Sequence, residues 1–241
     1  MGVGVNAIVA TLKNRWVQLA AIAFSAVLAD FLLASRHLPW RPLAIDEPAG
    51  FATGFKLSLL NYAPRGWCSG LVERSDLLRV TRLDAQRLDR GCGWKAAYQL
   101  QHSGVVSFRG KQTLPMQCAL TAASHIWLAS INRLAQEHLG ADVARVHHAG
   151  TYSCRRMYNR SSGPMSEHAY ANAWDVTGFE LTDGRVISVK KHWRQRGSKR
   201  DFLHAARDSA CGLYNVVLSP DYNAAHHDHL HLDMGHGFSC R

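Results

Sequence analysis

Apolar residues at helical spacing lie between segments that alternate with period two, and this order most limits the fold. From Leu120 to Leu134 apolar residues recur at steps of three and four, and Gly140 follows; the pattern predicts a long amphipathic helix. Residues 96–108 and 173–189 each read as a hairpin, with turns at His102-Ser103-Gly104 and Thr182-Asp183-Gly184. Helices interspersed with hairpins predict an α+β fold with an antiparallel sheet flanked by helices. Further predicted elements are strands over 143–151 and 214–218, a helix over 201–211, and a final strand over the histidine-rich segment 226–233.

The segment 16–35, WVQLAAIAFSAVLADFLLAS, is mostly apolar and follows Lys13 and Arg15. This is the layout of an export signal or a signal anchor. Gln18 and Asp30 interrupt the segment, so a cleaved signal and a weak membrane span are both open. We therefore expect a periplasmic or extracellular protein, with residues 16–35 as an inner-membrane anchor if they are retained.

The remaining chain divides by composition. The stretch after the apolar segment is rich in proline and glycine and has little periodicity, which is typical of a tether. We predict four parts: a signal or membrane anchor (1–36), a tether (37–54), an N-terminal subdomain (55–112) and a C-terminal domain (113–241).

A formal charge of +10 favours anionic partners. The largest basic cluster, Lys190–Arg200, is interrupted by Trp193 and Gly197 and is predicted to be a solvated loop. It lacks the interleaved basic and aromatic residues of a nucleic-acid module. The expected partner is a cell-wall peptide or another anionic envelope polymer, with no nucleic acid.

Six cysteines are spread along the chain without a Cys-x-x-Cys pair, which argues against a thiolate zinc site and a redox motif. An even number in an exported chain predicts up to three disulfides. The sequence does not choose among the 15 possible pairings. The cysteines are Cys68, Cys92, Cys118, Cys154, Cys211 and Cys240.

The segment HHDHLHLD, residues 226–233, places four histidines and two aspartates in eight positions. On a strand His229, His231 and Asp233 share one face, while Leu230 and Leu232 face the core. Imidazoles held on one face of a half-buried strand can converge on a cation.

A second polar segment, SEHAYANAWD (166–175), supplies further ligand candidates. His168 is predicted in a loop, and Asp175 lies between Trp174 and Val176 in the following strand. A carboxylate inserted into an apolar strand is expensive to bury unless it is paired or coordinates a cation. A salt-bridged or turn-capping aspartate is the alternative.

The two segments together resemble the zinc peptidase superfamily of lysostaphin-type enzymes, D-Ala-D-Ala carboxypeptidases and penicillin-insensitive murein endopeptidases. Ser166, His168 and Asp175 match its Ser-x-His and later aspartate, and His229-x-His231 matches the late His-x-His of the murein endopeptidases. The segments GTYSCR, SEHAYANAWDV and LSPDYNAAHHDHLHLDMG more closely resemble the bacterial extensin-like C-terminal domain family, over roughly residues 50–241.

The resemblance implies a zinc D-Ala-D-Ala peptidase-like domain with one Zn²⁺ held by His168, Asp175 and His231. It implies His229 as general base or as a stabiliser of the tetrahedral intermediate. Arg155, in GTYSCRR, matches a substrate-facing arginine of the carboxypeptidases. A fixed guanidinium there would bind a carboxylate or a developing oxyanion. Ser166 is expected to orient the loop that carries His168.

One position stays open between two neighbours. Strict alternation puts His227 on the ligand face, whereas the murein endopeptidase spacing selects His226, which we favour as a substrate-facing or supporting group. The other histidines are treated as structural or exposed, although His147 or His148 could line the cleft.

The functional expectation is an exported zinc metallopeptidase that hydrolyses amide bonds in cell-wall peptides. The alternative is a zinc-stabilised envelope-binding domain without catalysis, with His226 as a fourth ligand, because a fold alone does not establish activity.

Overall fold

The computed structural model describes residues 15–64, 66–87, 91–104, 106–107 and 114–241. The fold is mixed α+β with antiparallel sheets and helices, as predicted. The helices are α1 (Arg15–Leu32), α2 (Thr53–Leu60), α3 (Trp67–Glu73), α4 (Cys118–Leu139), α5 (Val189–His192) and α6 (Ser198–Cys211). The strands are β1 (Leu78–Leu83), β2 (Gln86–Arg87), β3 (Gly93–Trp94), β4 (Ala97–Ser103), β5 (Val106–Ser107), β6 (Pro115–Met116), β7 (Val143–Gly150), β8 (Ala173–Leu181), β9 (Val186–Ser188), β10 (Val216–Leu218), β11 (Leu230–Asp233) and β12 (Ser239–Cys240).

The larger sheet has the strand order β12-β10-β11-β8-β7, and β9 also pairs with β8. Its pairs are antiparallel except for β10 and β12, which run parallel. The predicted hairpin over 173–189 is confirmed as β8 and β9, and the Gly184 amide closes its turn on the Leu181 carbonyl. The two strands β8 and β11 are therefore interior neighbours.

The predicted long helix is α4, which covers the larger sheet together with α6. Gly140, with a φ of 70°, ends α4 in a left-handed conformation that glycine adopts without strain. Trp127 of α4 is fully buried against Trp174 of β8 at 5.9 Å between ring centroids, and its Nε1 donates to the Ala206 carbonyl in α6. One buried indole thus joins the sheet to both helices.

The smaller sheet has the order β1-β4-β5, with β6 also on β4. Strands β4 and β5 form the hairpin predicted over residues 96–108, of which Val105 and Phe108 lie outside the described residues. A separate pair, β2 and β3, precedes β4. The stretch 68–87 holds most of α3, then β1 and β2.

The stretch expected to be a tether packs against the folded part. Leu38 and Ile45 are buried, and the Asp46 carboxylate accepts a hydrogen bond from His125 Nε2 at 2.9 Å. Residues 37–54 therefore contribute contacts to the core. The division of the chain into four parts stays a prediction.

The basic cluster Lys190–Arg200 differs from the predicted loop. It contains most of α5 and the start of α6, which begins at Ser198 rather than at Asp201. Trp193 is buried and its ring stacks on His204 at 4.2 Å. Burial of Trp193 holds the flanking basic residues against the protein, where they form the end of α5 and the start of α6, while their charged groups stay in solvent.

All six cysteines are paired, as Cys68–Cys118, Cys92–Cys154 and Cys211–Cys240. The helix α1 is long and apolar enough to cross a membrane, and none of its residues is buried. Disulfides and an apolar N-terminal helix fit a secreted or envelope protein with a signal or anchor.

Candidate metal centre

His231 and Asp175 lie opposite each other on neighbouring strands. In the antiparallel pair of β11 and β8, His231 is the direct partner of Asp175. Leu230 and Leu232 are fully buried on the core side, as the alternation predicted. Both polar side chains therefore occupy the other face of the sheet, where directly opposed side chains come close.

His168 reaches the same place from a short 3₁₀ turn, Glu167–Tyr170. Ser166 begins this turn and its Oγ accepts a hydrogen bond from the His168 amide at 3.4 Å, which is the supporting contact expected of it. The His168 carbonyl accepts a hydrogen bond from the Ser153 amide at 3.1 Å. These contacts fix His168, which is buried, against the rim of the sheet.

Three candidate ligand residues meet at one point. His168 Nε2 lies 3.1 Å from Asp175 Oδ2 and 3.3 Å from His231 Nδ1. His231 Nδ1 lies 2.9 Å from Asp175 Oδ1. Among the residues that the structure describes, this His-His-Asp group could hold a metal ion.

The outer nitrogen of each histidine has an acceptor of its own. His168 Nδ1 donates to the Thr151 carbonyl at 3.3 Å, and His231 Nε2 donates to Asp233 Oδ2 at 2.9 Å. Because both partners are acceptors, these nitrogens carry the protons, and the lone pairs of the neutral rings lie on His168 Nε2 and His231 Nδ1. An acceptor behind each imidazole is the usual arrangement around a metal-binding histidine.

The geometry fits a tetrahedral cation. Two ring lone pairs and a carboxylate facing one another at 2.9 to 3.3 Å repel unless a proton or a cation lies between them. Bonds of 2.0–2.1 Å at tetrahedral angles separate two zinc ligands by about 3.3 Å. The two imidazoles lie at the spacing of ligands around one small ion, and each has one carboxylate oxygen of Asp175 within 3.1 Å; their role as zinc ligands stays a prediction.

The electrostatics of the cluster favour positive charge. Burial raises the pKa of Asp175, but hydrogen bonds from His168 and His231 outweigh it and hold that pKa far below its usual range. Burial lowers the pKa of His231, but hydrogen bonds to Asp175 and Asp233 raise it to about 9. With no metal bound, a proton on His231 therefore takes the place of the cation, and a metal would compete with it.

His229 and His226 lie beside the three candidate ligands. His229 Nε2 is 3.5 Å from Asp175 Oδ1, and the His226 ring lies 5.3 Å from that of His229 and 5.7 Å from that of His231. Burial and the neighbouring His231 and His229 lower the pKa of His226 to about 4. His226 is half-buried and His227 is exposed; a substrate-facing or supporting role of His226 stays a prediction.

Arg155 belongs to the loop that follows β7. Its carbonyl accepts from the Ser166 amide at 3.1 Å, which places the Arg155 backbone beside the turn of His168. Its charge contributes to the lowered pKa of His226, which places the guanidinium within electrostatic reach of the site. Substrate contact by Arg155 stays a prediction.

The N-terminal half supplies a wall next to this loop. The disulfide Cys92–Cys154 joins the residue before β3 to the residue before Arg155. Trp94 of β3 packs edge-on against Tyr152, with ring centroids 5.0 Å apart. The hydroxyls of Tyr152 and Thr151 are buried without a hydrogen-bond partner among the described residues.

The comparison with protein-family models finds one match. Residues 67–241 match the model described as "Extensin-like protein C-terminus". The chain belongs to this family. Neither the search of curated proteins nor the search of solved structures gives a match.

Sequence reasoning missed the groups behind the histidines. Asp233 was placed on the face of His231 but was given no role, and Thr151 acts through its backbone carbonyl, which no side-chain pattern reports. The alternation of His229, His231 and Asp233 was the available signal for Asp233, because residues two apart on a strand share a face.

Proposed function

We propose that this extensin-like protein is an exported zinc metallopeptidase that hydrolyses amide bonds in cell-wall peptides. One observation carries the proposal. Two imidazole lone pairs and one carboxylate converge at ligand spacing, while the outer nitrogens of His168 and His231 are tied to acceptors.

The donor set supports zinc and an open site. Two imidazoles with a carboxylate suit zinc, whereas calcium and magnesium prefer oxygen ligands. Three protein ligands with a free fourth position are typical of catalytic zinc. Zinc bound there supplies Lewis-acid chemistry, which polarises a carbonyl and acidifies a coordinated water.

His229 is suited to move a proton at Nε2. Its Nδ1 donates to Asp228 Oδ1 at 3.0 Å, so the lone pair of the neutral ring lies on Nε2. That atom points to the ligand cluster, 3.5 Å from Asp175 Oδ1. A general base needs this combination of a fixed tautomer and proximity to the reacting group.

Substrate binding is assigned to Arg155 and His226. Arg155 would bind a carboxylate of the peptide, because a guanidinium forms two parallel hydrogen bonds to a carboxylate. His226 Nδ1 lies 2.8 Å from Asn223 Oδ1 and donates to it, which leaves Nε2 as an acceptor for a peptide amide.

The location of the activity follows from α1 and the disulfides. Lys13 precedes the apolar helix and Arg15 is its first residue, and basic residues favour the cytoplasmic side of a membrane. We therefore place the remaining chain in the periplasm or outside the cell, anchored by residues 16–35 when these are retained. Its partner there is a wall peptide or another anionic envelope polymer.

The test is hydrolysis of purified wall peptides, both cross-linked and linear, by the zinc-loaded full chain. We expect cleavage by wild type and a loss of turnover of about a hundredfold or more in His229→Gln, the range of a general base. His227→Gln is the matched control, because His227 neighbours the site in sequence and is exposed. Absence of cleavage of all these substrates by zinc-loaded wild type would contradict the proposal.

A second candidate function is a zinc-stabilised binding domain without catalysis. It is favoured by the 3.5 Å distance from His229 Nε2 to Asp175 Oδ1, because a small rotation of His229 would make it a fourth ligand. A closed four-ligand site is typical of structural zinc. The spectrum of the cobalt-substituted protein separates the two, since only an open site changes colour when a small anion is added.

A further inference from the structure

An exposed apolar stripe runs along α2 and its flanking turns. Phe51, Phe55, Leu59 and Tyr62 have exposures of 92%, 56%, 48% and 71%. Phe55 and Leu59 lie about 40° apart around α2 at 100° per residue, and Phe51 and Tyr62 lie in the turns at its two ends. Four large side chains in one row, three of them aromatic, form a surface that a soluble domain rarely leaves uncovered.

Other residues of α2 and of the turn after it fix the helix to the protein. Leu57 is fully buried, the Ser58 hydroxyl donates to Asn215 Oδ1 at 2.5 Å, and the Asn61 side chain donates to the Met234 carbonyl at 2.6 Å. These contacts set the rotation of the helix about its axis. The exposure of the stripe therefore follows from contacts that hold α2 in one orientation.

The stripe adjoins the end of the apolar helix α1. The Phe51 amide donates to His37 Nδ1 at 3.2 Å, and the Ala52 amide donates to the Arg36 carbonyl at 3.1 Å. Lys56 Nζ donates to the Ser35 carbonyl at 2.8 Å. Because α1 ends at Leu32, the stripe is tied to residues only three to five positions beyond it.

The composition of this region suits a lipid surface. Residues 48–72 contain no aspartate or glutamate, and Lys56 and Arg65 are their charged residues. Trp40, which also follows α1, is 55% exposed. Aromatic rings favour the boundary between headgroups and acyl chains, and the lack of acidic residues avoids repulsion by anionic lipids.

We propose that the stripe Phe51, Phe55, Leu59 and Tyr62 lies in the surface of the bilayer into which α1 is inserted. The inference rests on the proposed membrane anchor and adds a second contact with the same leaflet. Since Asn61 holds Met234, three residues beyond His231, this contact also sets the orientation of the metal site relative to the membrane.

The test uses the full chain in nanodiscs of phosphatidylcholine and phosphatidylglycerol, with a photoreactive benzoylphenylalanine at one position in each variant. The positions are Phe24 in α1, Phe51 and Phe55 in the stripe, and Val186, an exposed residue of β9. We expect lipid adducts at Phe24, Phe51 and Phe55, with yields about tenfold above that at Val186, because a ring at the acyl boundary is surrounded by lipid C–H bonds. The two stripe variants are independent, so misfolding of one leaves the other informative.

The outcomes separate the docking surface from the anchor. Adducts at Phe24 together with background yields at Phe51 and Phe55 would overturn the docking and leave the anchor intact. Crosslinks from the stripe to a second copy of the chain would overturn it in favour of self-association. Background yields at Phe24 as well would reject the anchor and the docking together, while the metal site would be unaffected.

Discussion

Two clusters pair a buried histidine with a carboxylate, and they have similar composition but different geometry; the carboxylate is exposed in the first cluster and buried in the second. In the first, on α4, His125 Nε2 donates to Asp46 at 2.9 Å, and His125 Nδ1 lies 2.8 Å from the Ser103 hydroxyl. Each nitrogen of the ring has one partner. We call this group the His125 cluster.

In the second cluster, the inner nitrogens of His168 and His231 face each other at 3.3 Å beside Asp175. Here acceptors outnumber protons, because the outer nitrogens already donate elsewhere. A buried histidine with a carboxylate partner is therefore not enough for a candidate metal site. The lone pairs of the candidate ligands must also converge, and the His125 cluster lacks this arrangement.

The largest expected effect comes from Asp175→Asn. The amide has the size of the carboxylate but no charge, so the site loses its anionic ligand. We expect zinc affinity to fall by more than ~100-fold, which is the largest loss typical of removing a residue that only supports a ligand. Competition with a chromophoric chelator measures it. Asp46→Asn makes the same change in the His125 cluster and should leave affinity unchanged; equal losses in the two variants would erase the distinction between the clusters.

Asp233→Asn should have the next largest effect. It weakens the acceptor behind His231 Nε2, so the ring loses its fixed tautomer and zinc affinity drops by about 10–100-fold. Titration calorimetry with zinc gives the value. A wild-type affinity in this variant would mean that Asp233 does not orient His231.

Asp46→Ala tests whether the His125 cluster contributes to stability without contributing to zinc binding. It leaves His125 Nε2 buried without an acceptor, and we expect a loss of about 1–3 kcal/mol in the free energy of unfolding, with zinc binding intact. Urea denaturation measures the loss. Asp46→Asn retains an acceptor oxygen and should lose less; a fall in zinc content of Asp46→Ala would show that the clusters are coupled.

The smallest expected effect is a pH dependence of the His125 cluster. Burial lowers the pKa of His125, so the folded state keeps this ring neutral after the unfolded chain, with a pKa of about 6.5, has taken up a proton. Stability is therefore fully present above that value and is lost as the pH falls below it. In metal-free protein between about pH 5 and 7, His125→Gln should show a shallower decline than wild type. Identical slopes would contradict the assignment.

The sequence predicted the structure best where a polar residue interrupts the apolar positions of a regularly alternating strand. The buried apolar neighbours of His231 and Asp175 fix which face of β11 and β8 each polar side chain occupies. Once the two strands pair, alternation places His231 and Asp175 on the same face. The membership in the extensin-like family was likewise indicated by motifs that lie close together along the chain.

The remainder depends on contacts between distant residues. His125 and Asp46 are 79 positions apart, and the sequence shows no periodicity in the stretch that contains Asp46. The same holds for the disulfides, since each joins residues 29 to 62 positions apart and composition cannot rank the pairings. The burial of Trp193, which converts a predicted loop into helical turns, also depends on the distant His204.

The zinc content of the purified full chain, supplied with zinc and then freed of excess, is the most direct test of whether His168, Asp175 and His231 bind zinc. We expect about one zinc per chain, with X-ray absorption showing nitrogen and oxygen neighbours at about 2.0–2.2 Å and no sulfur at about 2.3 Å. A folded wild-type protein that retains no zinc would contradict it, and the convergent histidines would then be held together by a proton alone.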